Sequence, residues 1–529
     1  MMKKGKLMRL LTFASVFALT ACGGAAPETP SEKESSEESV SSVESESSEQ
    51  QSESEQESES EQESESASES ESQDETKRTL RIDSTFNDTY RGVFDKAIAK
   101  FEETYSNWTV VHNKVNGSYN DMASNVEKGF AANDYPDATV VYPDSVAGFI
   151  YAGKGVDMTK YMNGANGWDE DDFDDIPEAY LEEGSSYFVP GTYSLPLCKS
   201  TEAMYYNRAI IGIDLSLYDD HFEDVITDDY IQNLTWEELF DHLCPALIAY
   251  NEAQPADKKI IKKDSGYEES WAVCGYDSDD NLFITLAKQY GYGYTSLDQT
   301  TGEGSIDFVN DGMKTLMKKF NDAYLKHYFT TKGVLGGSFT SKLSTTGNMI
   351  FSIGSTGGVT NQYSTNTKYD VGVAPIPHAE GKEYYVINQG PSFVPIKHNG
   401  TKEEADIYAQ ATWNFYKILT SNEIALEWAL TTGYAPIRES VTYEKDYLDY
   451  VNINKFETGT SGILTARNAK YVTTVLDFLY SSPVFYGSSK ARVAVGGLAT
   501  DCIGNKGATD PITDAKIDEY FNNAYANSI

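Results

Sequence analysis

Residues 23–77 are built almost wholly from Ser and Glu with interspersed Gln, and they contain no aromatic residue. Such a segment cannot bury enough apolar surface to offset the entropy of ordering its backbone, so it is expected not to fold. Any core must therefore form from residues 78–529. That length is ample for a sizeable core and too long for one compact domain, so two or more lobes are expected. Through position 77 the chain carries 19 acidic residues against six basic ones, within a whole-chain net charge of −40. Like charges keep the tract extended, and even a neutral flexible coil of this length spans roughly 40 Å. The tract reads as a spacer.

The segment ahead of it decides the compartment. Lys3, Lys4, Lys6 and Arg9 precede a short apolar run over residues 10–21. That run is shorter than the ~20 residues needed to span a bilayer, so residues 1–21 read as an export signal. It ends in Leu19-Thr20-Ala21-Cys22, which resembles the lipobox of bacterial lipoproteins. The resemblance implies cleavage before Cys22 and a diacylglycerol on its sulfur. The expected location is the outer face of the bacterial cytoplasmic membrane, tethered by lipid alone. Four cysteines remain, Cys198, Cys244, Cys274 and Cys502, none in CxxC spacing. A structural zinc site on them is not expected, and any disulfide pairing stays open.

Past residue 77, strand-like and helical patterns alternate. Thr79-Leu-Arg-Ile82 precedes a helix with Phe94, Ile98, Phe101 and Tyr105 on one face. Ala138-Thr-Val-Val141 is a further strand, flanked by Asp137 and Asp144. This order predicts α/β lobes, in which ligand crevices lie at strand ends. Thr235-Trp-Glu-Glu238 predicts a capping box opening a helix. Trp236, Trp413 and Trp428 are read as packing residues.

Enzyme signatures are wanting. The six histidines include no pair at i,i+4 and no HExxH, and Gly354-Ser-Thr-Gly-Gly358 lacks the spacing of a nucleophile elbow. No Lys-Ser/Thr follows those glycines, which excludes a nucleotide P-loop. Asp169-Glu-Asp-Asp172 and Asp277-Ser-Asp-Asp280 do not match an EF-hand loop and read as solvated acidic loops. The chain is not expected to be an enzyme, to need a cofactor or to hold a metal. With no basic run, it is not expected to bind nucleic acid.

In order along the chain, Pro136-Asp-Ala-Thr-Val-Val141, Tyr193-Ser-Leu-Pro196, Met204-Tyr-Tyr-Asn-Arg208 and Thr235-Trp-Glu-Glu-Leu239 resemble the extracellular solute-binding proteins of bacterial ABC importers. The strands from Gly347 to Ser355 and from Tyr369 to Pro377, and the helices around 415–437, continue that resemblance, in the sugar and glycerol-3-phosphate branch. It implies a two-lobe periplasmic-binding-protein-like α/β fold with the ligand cleft between lobes, closing on binding. By that pattern the first lobe is 78–200 plus 388–435 and the second 201–387 plus 436–529. The expected partners are a small hydrophilic ligand, expected to be a carbohydrate, and the importer's permease subunits, with the protein itself a monomer.

Ser355, Gly390, Tyr434 and Arg492 fall at positions where the family contacts ligand. The family's Trp-rich loop near 275–285 is here Asp277-Ser-Asp-Asp-Asn281, and its Gly-Gly-Ala-Ser is Gln389-Gly-Pro-Ser392. An acidic loop disfavours phosphate and favours hydroxyl donors. Sugars also pack their C–H faces on aromatic rings, which adds Tyr142, Asp144, Tyr193, Glu202, Trp271 and Asp277 as candidates. The alternatives are a receptor for glycerol-3-phosphate or a glycerophosphodiester, a surface glycosidase working with a carboxyl pair, and a purely adhesive surface protein.

Overall fold

A computed structural model describes residues 76–263, 271–365 and 369–529. The export signal, Cys22 and all but the last two residues of the Ser/Glu tract lie outside the described residues.

Two sheets carry the fold. In the first, β1 (Arg78–Ser84) pairs in parallel with β2 (Trp108–Lys114) and β3 (Ala138–Val141), and β12 (Ser392–Pro395) returns antiparallel to β3. Its helices cover it with aromatic side chains: Phe94 and Phe101 from Asp88–Thr104 meet Phe415 from Lys402–Leu419 at ring distances of 5.3 and 5.6 Å. The phenylalanines fall on one helical face, as their spacing predicts.

The second sheet has the order β10-β4-β9-β5-β8. It comprises β4 (Glu202–Asn207), β5 (Cys274–Tyr276), β8 (Phe329–Thr331), β9 (Phe351–Ser355) and β10 (Val371–Ala374). Small pairs complete the set, a hairpin of β6 (Thr295–Asp298) with β7 (Glu303–Ile306), and β11 (Val386–Ile387) beside β13 (Leu479–Tyr480). Trp236, Phe240, Phe320 and Phe329 pack edge to face at its core. Thr235 accepts from the Glu238 amide at 3.0 Å as its motif predicts, but the Glu238 carboxylate takes Tyr230 and His221 instead of closing the box. The helix then passes through a π turn, Leu239–Leu243, before Cys244–Ala253.

The chain crosses between the sheets at Cys198–Thr201 and at residues 387–391, and Ala435 packs beside these crossings. Ser200 and Gln389 exchange backbone hydrogen bonds of 2.9 and 3.0 Å, and the Ala435 amide donates to the Lys199 carbonyl at 2.9 Å. Gly390 sits at φ +109°, and a Cβ there would stand 1.8 Å from the Cys198 carbonyl oxygen. Only glycine fits that crossing. Beside it, Lys199 and Glu183 form a buried ion pair, with Lys199 also donating to Ser392 Oγ at 2.9 Å.

Residues 436–451, expected with the second lobe, pack instead against the Asn422–Thr432 helix. Arg438 reaches Asp172 at 2.9 Å and Asp175 at 3.0 Å, which neutralises part of the acidic 169–175 stretch and fastens this segment to the first lobe. The four cysteines of the described residues are buried and free.

Candidate functional site

The strand ends build two facing walls. On the first lobe, β3 ends at Val141, and Tyr142 is the N-cap of the helix Pro143–Tyr151, whose first turn carries Asp144. Tyr90, Tyr119 and Tyr434 join Tyr142, with Tyr90–Tyr434 and Tyr119–Tyr142 edge to face at 5.8 and 5.4 Å. Burial raises all four phenols, that of Tyr142 to about 12, so the aromatic part of this wall carries no charge and Asp144 supplies its one named carboxylate.

On the second lobe, Glu202, Asp277, Ser278, Ser355, Asn361 and Gln389 bound a space of about 180 Å³. Ser355 ends β9 and its hydroxyl accepts from the Gly357 amide at 3.3 Å, opening a 3-10 turn, Thr356–Gln362. Tyr434 of the opposite wall closes over Gly357, where an added Cβ would lie 2.9 Å from its ring. Glu202 is fully buried, accepting from the Tyr276 hydroxyl and from Asn281 Nδ2 at 2.9 Å. Burial pushes its carboxyl up to about 8, against those two hydrogen bonds.

The acidic loop after β5 sends its carboxylates three ways. Asp277 accepts from the Thr340 amide and hydroxyl at 2.6 and 2.8 Å, while Asp279 accepts from Gly333 and Thr500, both at 2.9 Å. Asp280 pairs with Arg492 Nε at 2.7 Å. Burial works against the charge of Asp280, but Arg492 together with hydrogen bonds from Ser278 and the backbone holds the carboxyl below its usual range. Three carboxylates committed to separate partners do not converge on one ion.

Arg492, on the helix Ser488–Gly504, also reaches Asp144 Oδ2 of the facing wall at 3.4 Å and donates to Asn281 Oδ1. Asn281 in turn donates to Gln389 Oε1 at 2.8 Å. Arg492, Asn281, Glu202 and Tyr276 thus form one continuous polar chain along the cleft.

Of the residues singled out by sequence, Tyr142, Asp144, Glu202, Asp277, Ser355, Tyr434 and Arg492 come together here. Three do not. Trp271 precedes β5, at the end away from Asp277, and stacks on His327 at 4.4 Å. Tyr193 packs edge to face on Tyr187 and donates to the Pro190 carbonyl at 3.2 Å. Gly390 serves the crossing of the chain. Sequence reasoning missed Tyr90, Tyr119, Asn281 and Asn361; the first two open helices just after strands β1 and β2, a position that carries the signal.

The profile of the bacterial extracellular solute-binding proteins matches residues 96–455. The chain belongs to that family. The family consists of non-catalytic binding proteins that serve ABC importers. The fold of this solute-binding protein is similar to that of UgpB from Mycobacterium tuberculosis, solved with glycerophosphocholine. The TM-score is 0.60 at 15% identity, over 85% of this chain and 97% of that one. It is also similar to the GacH receptor of Streptomyces glaucescens, solved unliganded and with acarbose (TM-score 0.58, 14% identity, 85% and 98% covered). Maltose-bound MalE3 of T. maritima is comparable (0.57, 14%, 85% and 99%). At these identities the likeness is one of fold. Among curated proteins, none matches the chain. No helix of the described residues is long and apolar enough to cross a membrane.

Proposed function

We propose that this solute-binding protein captures a carbohydrate, mono- or oligosaccharide, by closing its cleft, and delivers it to the permease of its importer while tethered through a lipid on Cys22. The observation that carries the ligand class is the pairing of walls. A cluster of four tyrosines, with Tyr434 against Gly357, stands beside a rim of Glu202, Asp277 and Gln389, and Arg492 is already engaged by Asp144 and Asp280. Lys332, 3.9 Å over the Phe339 ring, acts on Asp277, so an anionic phosphate would compete with carboxylates for the cations near this rim. Sugar hydroxyls can donate to the acceptor positions that Thr340 and Asn281 leave open on Asp277 and Gln389, and the C–H faces of a sugar ring suit aromatic rings. The relatives solved with acarbose and maltose are in keeping with this reading.

The test is a thermal-shift screen of the purified protein against sugars, polyols, glycerol phosphates and amino acids. A ligand at 100 times its dissociation constant adds ~2.7 kcal/mol, a readable shift. Stabilisation by a sugar recovered intact supports the reading. Stabilisation by a glycerol phosphate or glycerophosphodiester alone overturns the ligand class.

A further inference from the structure

Away from the cleft, the second lobe gathers two imidazoles and two carboxylates. His221 Nε2 lies 3.0 Å from Glu238 Oε2, and His242 Nδ1 lies 3.0 Å from Asp219 Oδ2. The two rings stack with centroids 3.8 Å apart and planes 14° from parallel. His221, Glu238 and His242 each offer one ligand atom, and these lie within 4.8 Å of one another, a grouping that no other residues make among those described. None of the four lines the cleft.

Each ring faces a carboxylate, and the two rings lie face to face. A nitrogen lone pair lies in the plane of its ring, so one divalent ion is shared by both rings and Glu238 once a ring turns out of the stack, a rotation open to the part-exposed His221. Around tetrahedral zinc, ligand atoms at ~2.0–2.2 Å stand about 3.4 Å apart, so that rotation must also draw the group together from within 4.8 Å. Asp219 lies outside the ligand group and engages His242 Nδ1. That is the carboxylate-to-histidine contact that orients a metal-bound ring, and it leaves Nε2 for the ion. Glu238 and His242 are four apart along a helix, with the π turn Leu239–Leu243 between them, and His221 approaches from a preceding loop. Neither signal stands out in sequence, because the spacing is Glu-to-His rather than His-to-His.

We infer that His221, Glu238 and His242 bind a divalent transition ion of the zinc type, with Asp219 orienting His242. Three protein ligands on an accessible surface leave a fourth position for water. The ion would clip the 219–221 loop to the helix that begins at Trp236.

The test uses the untagged full chain, stripped with chelator and titrated calorimetrically with zinc, with the visible spectrum of bound cobalt(II) reporting tetrahedral coordination. The expected result is one zinc per chain, undisturbed by excess calcium. His221→Ala and His242→Ala should each weaken binding by more than the ~10–100-fold expected for Asp219→Asn. Because the His221 side chain is 43% exposed, His221→Ala should keep the melting temperature of the metal-free protein, so its loss of binding is not a loss of folding. Absence of stoichiometric binding, or undiminished affinity in His221→Ala, overturns the inference and assigns any bound zinc to other carboxylates of the acidic chain.

Discussion

The guanidinium of Arg492 reaches across the cleft to within 3.4 Å of the Asp144 carboxylate, linking a helix of one lobe to the first turn of a helix in the other. The same group holds Asp280 and Asn281 on its own side. Arg492 is therefore a cross-cleft tie. Arg492→Met should lower the affinity for the ligand found in the screen at least about tenfold, since apparent affinity scales with the population of the closed form. The far-UV spectrum should stay unchanged. A variant that binds as tightly as the parent and compacts equally in small-angle scattering would remove the tie from the mechanism.

The aromatic wall makes a paired prediction. Tyr434→Ala should weaken sugar binding by roughly 1–3 kcal/mol, the scale of a lost buried aromatic contact, whereas Trp271→Ala should leave affinity unchanged. Calorimetric titration of both variants decides it, and the reverse pattern would relocate the site.

Lys199 and Glu183 meet inside the crossing, with side-chain exposures of 0 and 8%. Lys199→Met strands Glu183 without its partner, which should cost about 3–5 kcal/mol in urea unfolding. A smaller loss would mean that Ser481, 3.5 Å from Glu183, and local water take over its charge.

Glu202 supplies a pH dependence. Its carboxyl is raised to about 8 in the folded protein by burial, against an ordinary value of 4.5. The folded state therefore binds the extra proton between those values. The stabilisation is fully present below pH ~4.5 and is lost as pH rises through 8. Glu202→Gln, which stays neutral, should flatten the fall in melting temperature between about pH 4.5 and 8. An identical slope in parent and variant would place the titration elsewhere.

For the anchor, Cys22→Ser should move the protein from the membrane fraction to the medium. A variant that stays membrane-bound would end the lipid-tether proposal.

Much of this architecture is legible in sequence because it rests on local pattern. The phenylalanine spacing of the Asp88–Thr104 helix and the β-branched run in the buried strand Ala138–Val141 each point to one kind of element, and a strand end flanked by Asp144 points to a cleft. What stays hidden depends on contacts between distant segments. Trp271 looks like a sugar platform until the direction of β5 turns it away, and Gly390 looks ligand-facing until the Cys198 carbonyl closes on it. The Asp277–Asp280 carboxylates look like a single charged patch until Thr340, Gly333 and Arg492 draw them apart. Charge composition reveals how many such groups there are, but not whom they face.

Cys198, Cys244, Cys274 and Cys502 are enclosed, and burial raises each thiol above its ordinary range, so none is a ready nucleophile. The same chemical silence makes the folded part a clean background for labelling. A cysteine placed at Tyr151, 70% exposed and stacked on Tyr486 at 4.5 Å, would be the one thiol a maleimide meets among the described residues. A dye there would watch the lobes part and meet.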